Sequence, residues 1–496
     1  MMEPSDEYAP IDFGAYTQPV STGSAAAQLW FNRGCVWAMG FHREEAAHCF
    51  SRASEIDPEC AMAWWGLALA NGPDYNFHAA AGFYTVASQP KGYPSLKVAT
   101  DALERARALP CAPRERALIS ALSTRYEWPV TESTVDLQEK YAAEMEAVAS
   151  AFPDDADIQA VCAEALLCLS PWDLYTRPEG AKPAPNWSSV GKVPNAVGER
   201  VVAALDRGLR AAPAHPWLAH LKVHYCEMGP AGAFDWSAAD ALRAEGSGQV
   251  GHLLHMPTHL DIQDGRYDEA ISLNVAAYEA DLRMHAYAPE RFGIYAGYAV
   301  HNMEFCAWAA MYAGRRAVAL VAVRQIDDFL DEKMLRRGQP TMATFFEARR
   351  HPPAHASPGD SMPAIHPNRL CQAYTADALM VLVRFGEWDE ILATPFRDDQ
   401  RLYVAHTLFL HFARAVALAA RSAQTPSHRH LPHTAQLLSL SHVASADRPT
   451  QVRPIRRARR GGRVRRRPRP HLARRPAPPQ RRPRGDGQYR ARGRAR

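Results

Sequence analysis

From Ala27 to Pro58 large apolar and small residues recur at helical spacing. Trp30, Gly34, Trp37, Ala46, Phe50, Ala53 and Pro58 stand at positions 4, 8, 11, 20, 24, 27 and 32 of a unit that starts at Ala27. Trp64 follows Trp30 by 34 residues and, with Leu67, opens the first helix of a second copy. The pattern predicts helix hairpins, with small residues where the two helices touch and large apolar ones where the next hairpin stacks.

Those anchor positions resemble the tetratricopeptide repeat (TPR) consensus. Later in the chain the anchors thin out but keep their order. Phe152-Pro153, Ala212-Pro213, Gly265-Arg266, Gly314-Arg315 and Gly386-Glu387 read as repeat ends or mid-repeat turns. The fold expected is all-α, a TPR-like superhelix with loop insertions over residues 25–422, preceded by a disordered stretch over residues 1–24. The longest insertion runs from Ser170 to Asn195, with five prolines and little periodicity, and a loop of that length is expected to act as a lid or to be disordered.

Numbering the first helices by this repeat gives the histidines a common phase. If a unit starts at Pro216, His220 and His224 take positions 5 and 9; if the next starts at Gly251, His255 and His259 take the same two positions. A further unit starting at Val300 puts His301 at position 2 and Glu304 at position 5. Residues four apart on a helix share a face, about 5–6 Å between Cβ atoms, and packed helices sit about 8–10 Å apart, so imidazoles from neighbouring helices can meet at one ion. Neutral imidazole suits Zn, Cu, Fe or Ni, and three or four of them leave a coordination position open for chemistry. The expected metal ligands are therefore His220, His224, His255 and His259, with His301 or Glu304 completing the shell or serving as general acid and base. Glu227, Asp261 and Glu164 supply nearby carboxylates. Pro257 lies between His255 and His259, where a helix-interior proline costs about 3 kcal/mol and kinks or restarts the helix.

The strings His220-Leu-Lys-Val-His224, Gly251-His-Leu-Leu-His-Met-Pro-Thr-His259, His301-Asn302 and Phe41-His-Arg-Glu-Glu-Ala46 resemble a group of large bacterial and fungal TPR proteins. They resemble more remotely the animal tetratricopeptide repeat protein 38 type. The resemblance implies a closed, loop-decorated superhelix and first-helix positions that look into a concave groove; it implies no particular reaction. Phe31, Asn32 and Cys35 occupy the groove positions where TPR domains that clamp chaperone tails carry Lys and Asn, which argues against that function.

Nine cysteines without a Cys-x-x-Cys, and an acidic start without an apolar run, point to a reduced cytoplasmic protein lacking a signal peptide or membrane span. Charge is divided. Arg448 to Arg496 holds twenty arginines, no lysine and one acid, +19 in all, so the remainder carries −15 behind the formal net +4. With its prolines and glycines this stretch cannot bury a core, and residues 423–496 as a whole are expected to form a disordered tail. It reads either as a nucleic-acid contact or as translation of a GC-rich gene in a shifted frame, since the helix Leu402–Ser422 opens a repeat whose partner helix does not follow. The functional expectation is a metal-dependent enzyme acting on a small organic molecule. The alternative is a scaffold holding a peptide in the same groove.

Overall fold

The structure, a computed structural model, describes residues 11–78, 83, 87, 90–130, 134–178, 191–230, 233–244, 248–336 and 373–424. The arginine tail from residue 425 onward lies outside these. The described residues are mostly α-helical.

The opening helices are α1 (Ala25–Met39), α2 (Arg43–Ile56) and α3 (Ala61–Ala70), each packed on the next. Phe50 of α2 is the pivot. It is fully buried, and Cβ atoms added at Gly34 of α1 or Gly66 of α3 would run into its ring. Three helices thus converge on one aromatic residue through two positions that tolerate no side chain, and burying such a ring contributes about 1.5–3 kcal/mol.

Neighbour-on-neighbour packing continues through α4 (Leu96–Ala108), α5 (Pro113–Leu122), α6 (Thr134–Ala151), α7 (Ala156–Leu167), α8 (Ala196–Ala211), α9 (Pro216–Glu227) and α10 (Trp236–Arg243). Between α7 and α8 the segment expected to be one long loop is drawn together by a two-stranded antiparallel ladder, β1 (Tyr175–Thr176) on β2 (Val193–Pro194). Residues 179–190 of that loop lie outside the described set.

Next come α11 (Gly251–His255), α12 (Thr258–Asp264), α13 (Tyr267–Tyr287), α14 (Ala296–Tyr312), α15 (Arg316–Phe329), α16 (Glu332–Arg336), α17 (Asp377–Phe385), α18 (Trp388–Ala393) and α19 (Val404–Gln424). The turns read from the sequence fall between helices. Gly265, Gly314 and Gly386 have φ of 82°, 71° and 73°, the left-handed conformation that ends a helix and that glycine adopts without penalty. α14 begins at Ala296, four residues before the expected Val300.

Residues 11–24, expected to be disordered, are instead held against the helices. The Tyr16 hydroxyl donates to Asp157 (2.5 Å), Ser21 N–H to Glu115 (2.7 Å) and Gln249 N–H to the Asp12 carbonyl (2.7 Å). No helix among the described residues is long and apolar enough to cross a membrane, and all eight described cysteines are free.

Candidate metal centre

Three neighbouring segments carry the histidines. Helix α9 starts cleanly: Pro216 at its first position needs no N–H partner, and the His215 ring accepts the Leu218 N–H. His220 and His224 follow one turn apart on a helix buried from Pro216 to Cys226. Helix α11 ends at His255 and α12 restarts at Thr258 around Pro257. Met256 and Pro257 keep right-handed helical angles, so the proline costs hydrogen bonds but not direction, and His255 and His259 still face each other. His301 sits in the second turn of α14.

The six imidazoles form two triads. Candidate donor nitrogens of His220, His224 and His252 lie within 4.8 Å of one another, as do those of His255, His259 and His301, and each triad can hold a metal ion. The sequence-derived quartet is therefore divided, because each i, i+4 pair takes its third partner from the neighbouring helix rather than from the other pair. His252 was missed by sequence reasoning. Its signal was its phase: it stands at position 2 of the unit starting at Gly251, as His301 does in the unit starting at Val300.

Hydrogen bonds determine which nitrogen of each ring is free. His220 Nδ1 lies 2.5 Å from the Met39 carbonyl, which only accepts, so Nδ1 carries the proton and Nε2 presents its lone pair. His224 Nδ1 and His259 Nδ1 both meet Glu227, at 2.7 Å on Oε1 and 2.6 Å on Oε2. Burial raises the Glu227 carboxyl, but the His259 and His224 imidazoles overcome it and hold the group down to about 2, as an acceptor. His255 Nδ1 lies 2.6 Å from Asn274 Oδ1, and that amide's orientation is secured because its Nδ2 donates to the Ala270 carbonyl at 2.8 Å. An acceptor on Nδ1 that leaves Nε2 facing inward is the arrangement by which proteins orient metal-ligating histidines.

The consequence is sharpest in the second triad. His255 Nε2 and His259 Nε2 face each other at 2.9 Å with both Nδ1 atoms already turned to acceptors. Two lone pairs repel at that distance, and either a proton carried by one ring or a metal ion between them removes the repulsion. In the first triad His220 Nε2, His224 Nε2 and both ring nitrogens of His252 are buried and have no hydrogen-bond partner among the described residues. Such orphans carry a desolvation cost of about 1–3 kcal/mol each that a metal ion would remove.

The surroundings are aromatic. Phe41 packs on His220, His224 and His252 at ring-centroid distances of 4.5, 5.9 and 5.5 Å, and Phe305 on His255, His259 and His301 at 4.9, 4.6 and 4.4 Å. Trp172, from the loop expected to form a lid, lies 5.6 Å from His224. Burial, with lesser contributions from neighbouring imidazoles, depresses the pKa of His220, His252 and His255, keeping them neutral as ligation requires. A narrow cavity beyond Phe41 is walled by Arg43, Asp74, Tyr93, Tyr295 and Tyr298.

Further support comes from behind His252. Its backbone N–H donates to the Tyr295 hydroxyl (3.0 Å), which donates to Asp281 (3.1 Å), whose other oxygen accepts from Asn302 Nδ2 (2.7 Å). A Cβ at Gly251 would collide with that Asp281 carboxylate. Of the remaining carboxylates named from sequence, Glu304 stands 3.5 Å from His301 Nδ1. Asp261 is engaged by Arg243 at 2.5 Å, and Glu164 pairs with Arg43, so neither is among the donors of the two triads. No protein-family model matches the chain, and no curated protein matches it.

Proposed function

We propose that this chain is a TPR-like helical array whose histidine triads hold transition-metal ions, Zn, Cu or Fe, and that it acts as a metal-dependent enzyme on a small organic molecule. The observation that carries the reading is the pair of facing nitrogens, His255 Nε2 and His259 Nε2 at 2.9 Å, each oriented by an acceptor on its other nitrogen. An all-imidazole, neutral donor set suits these metals and is a poor host for Mg or Ca. Three protein ligands per ion leave a fourth position for water or substrate, where the metal would act as Lewis acid or lower the pKa of bound water.

In this reading His220, His224, His255 and His259 are ligands, His252 and His301 complete their triads, and Glu304 beside His301 is the proton-handling group. The aromatic rings of Phe41, Trp172 and Phe305 packed against the imidazoles favour a small molecule over a peptide held in an open groove. A reduced cytoplasmic setting belongs to the same proposal and fits the free cysteines.

The test is elemental analysis of the tag-free full chain. Near-stoichiometric transition metal is expected, with most of it lost from the triad that His220→Ala or His255→Ala interrupts. Full metal content in the double variant contradicts the reading.

A further inference from the structure

We infer that the two triads form one dinuclear centre, taking two transition-metal ions in adjacent cages with Glu227 as their shared positioning residue. This rests on the metal-binding reading above and goes beyond it in the coupling between the ions and in the role of Glu227.

Six imidazoles are more than one ion takes, and they separate into two sets of three, each mutually within 4.8 Å. No layer of other side chains separates the sets at their junction. The rings of His252 and His255 are 5.7 Å apart and those of His224 and His259 are 6.0 Å apart, so an ion in one cage is the direct neighbour of an ion in the other.

Glu227 ties them together. It is the last residue of α9, one turn after His224, and its side chain is buried. One oxygen receives Nδ1 of His224 from the first triad and the other receives Nδ1 of His259 from the second. Both oxygens being used this way, Glu227 orients a ligand of each ion and contributes its negative charge between them without itself ligating. By contrast, Asn274 orients only His255 and the Met39 carbonyl only His220, each serving a single triad.

The experiment uses the full chain stripped of metal with a chelator and titrated with Cu2+, reading copper per chain after desalting and the electron paramagnetic resonance spectrum at each step. Two coppers per chain are expected, with the isolated-ion signal giving way to a spin-coupled one as the second ion enters. Glu227→Ala, which removes both acceptor oxygens, is expected to weaken both ions by about 10- to 100-fold; Asn274→Ala weakens only one. One copper per chain with an ordinary isolated signal overturns the dinuclear centre while leaving metal binding intact. Two coppers without coupling also overturn it, and Glu227→Ala affecting a single ion overturns the shared positioning role. No bound copper withdraws both this inference and the reading it rests on.

Discussion

Phe41 joins the backbone between α1 and α2 to the candidate metal centre, and the two can be tested with one pair of variants. Its φ is 59°, in the left-handed region, and Trp172 at 61° is the other described non-glycine residue there; both rings lie against His224. Holding an L residue in that conformation costs about 1–2 kcal/mol. Phe41 is only 3% exposed and rests on three imidazoles, so removing its ring costs about 3–5 kcal/mol. Phe41→Ala suffers that loss and keeps the strain. Phe41→Gly suffers the same loss and relieves the strain, against about 0.5–1 kcal/mol for glycine's extra freedom in the unfolded chain. The glycine variant is therefore expected to be the more stable by about 0.5–1 kcal/mol, although it is the smaller residue. Urea unfolding of the metal-free proteins, followed by circular dichroism, measures the difference in midpoint. An alanine variant equal to or more stable than the glycine variant refutes the claim that the backbone is strained over the triad. Both variants keep all six imidazoles and are expected still to bind metal.

Gly251→Ala pushes a methyl group into Asp281, and is expected to cost about 1–3 kcal/mol and to lower metal content by displacing His252 and His255; unchanged melting and metal content would falsify that placement. His42 is buried, and burial first, then the nearby Arg291, lowers its pKa from 6.5 to about 3. The unfolded chain therefore takes a proton near pH 6.5 that the folded chain refuses, and stability is lost as pH falls below that value. His42→Asn keeps a side-chain acceptor for the Glu45 N–H but does not titrate, so its urea midpoint should fall less steeply between pH 6.5 and 4 than that of the unaltered chain. Any low-salt binding of the full chain to duplex DNA should weaken steeply with added salt and vanish when residues 425–496, which hold the arginine-rich stretch, are deleted; DNA binding that survives the deletion places the contact elsewhere.

Much of the α-helical content was legible because apolar residues and turn glycines recur at helical spacing. Pro216 and Gly251 begin α9 and α11 where the numbering put them, and Gly265, Gly314 and Gly386 end helices where turns were expected. The phase of His220, His224, His255 and His259 was legible for the same reason. Periodicity gives the face of a helix, though, and not the aim of a ring across to its neighbour. Hence the division into triads, the third imidazole His252 and the two-sided grip of Glu227 emerged only with the packing of α9, α11 and α14. Residues 11–24 were misjudged because an extended segment carries no helical period. Its contacts are single long-range ones, such as Phe13 edge-on to Trp37 at 5.7 Å.

The central claim is that imidazole nitrogens hold a transition metal, and X-ray absorption at the metal edge of the purified full chain tests it most directly. The account predicts a first shell of nitrogen and at most one oxygen at about 2.0–2.1 Å, with the outer-shell scattering of several imidazole rings per ion. A shell of sulfur, a shell of oxygen alone, or metal-free protein in which the His255 and His259 nitrogens share only a proton contradicts it.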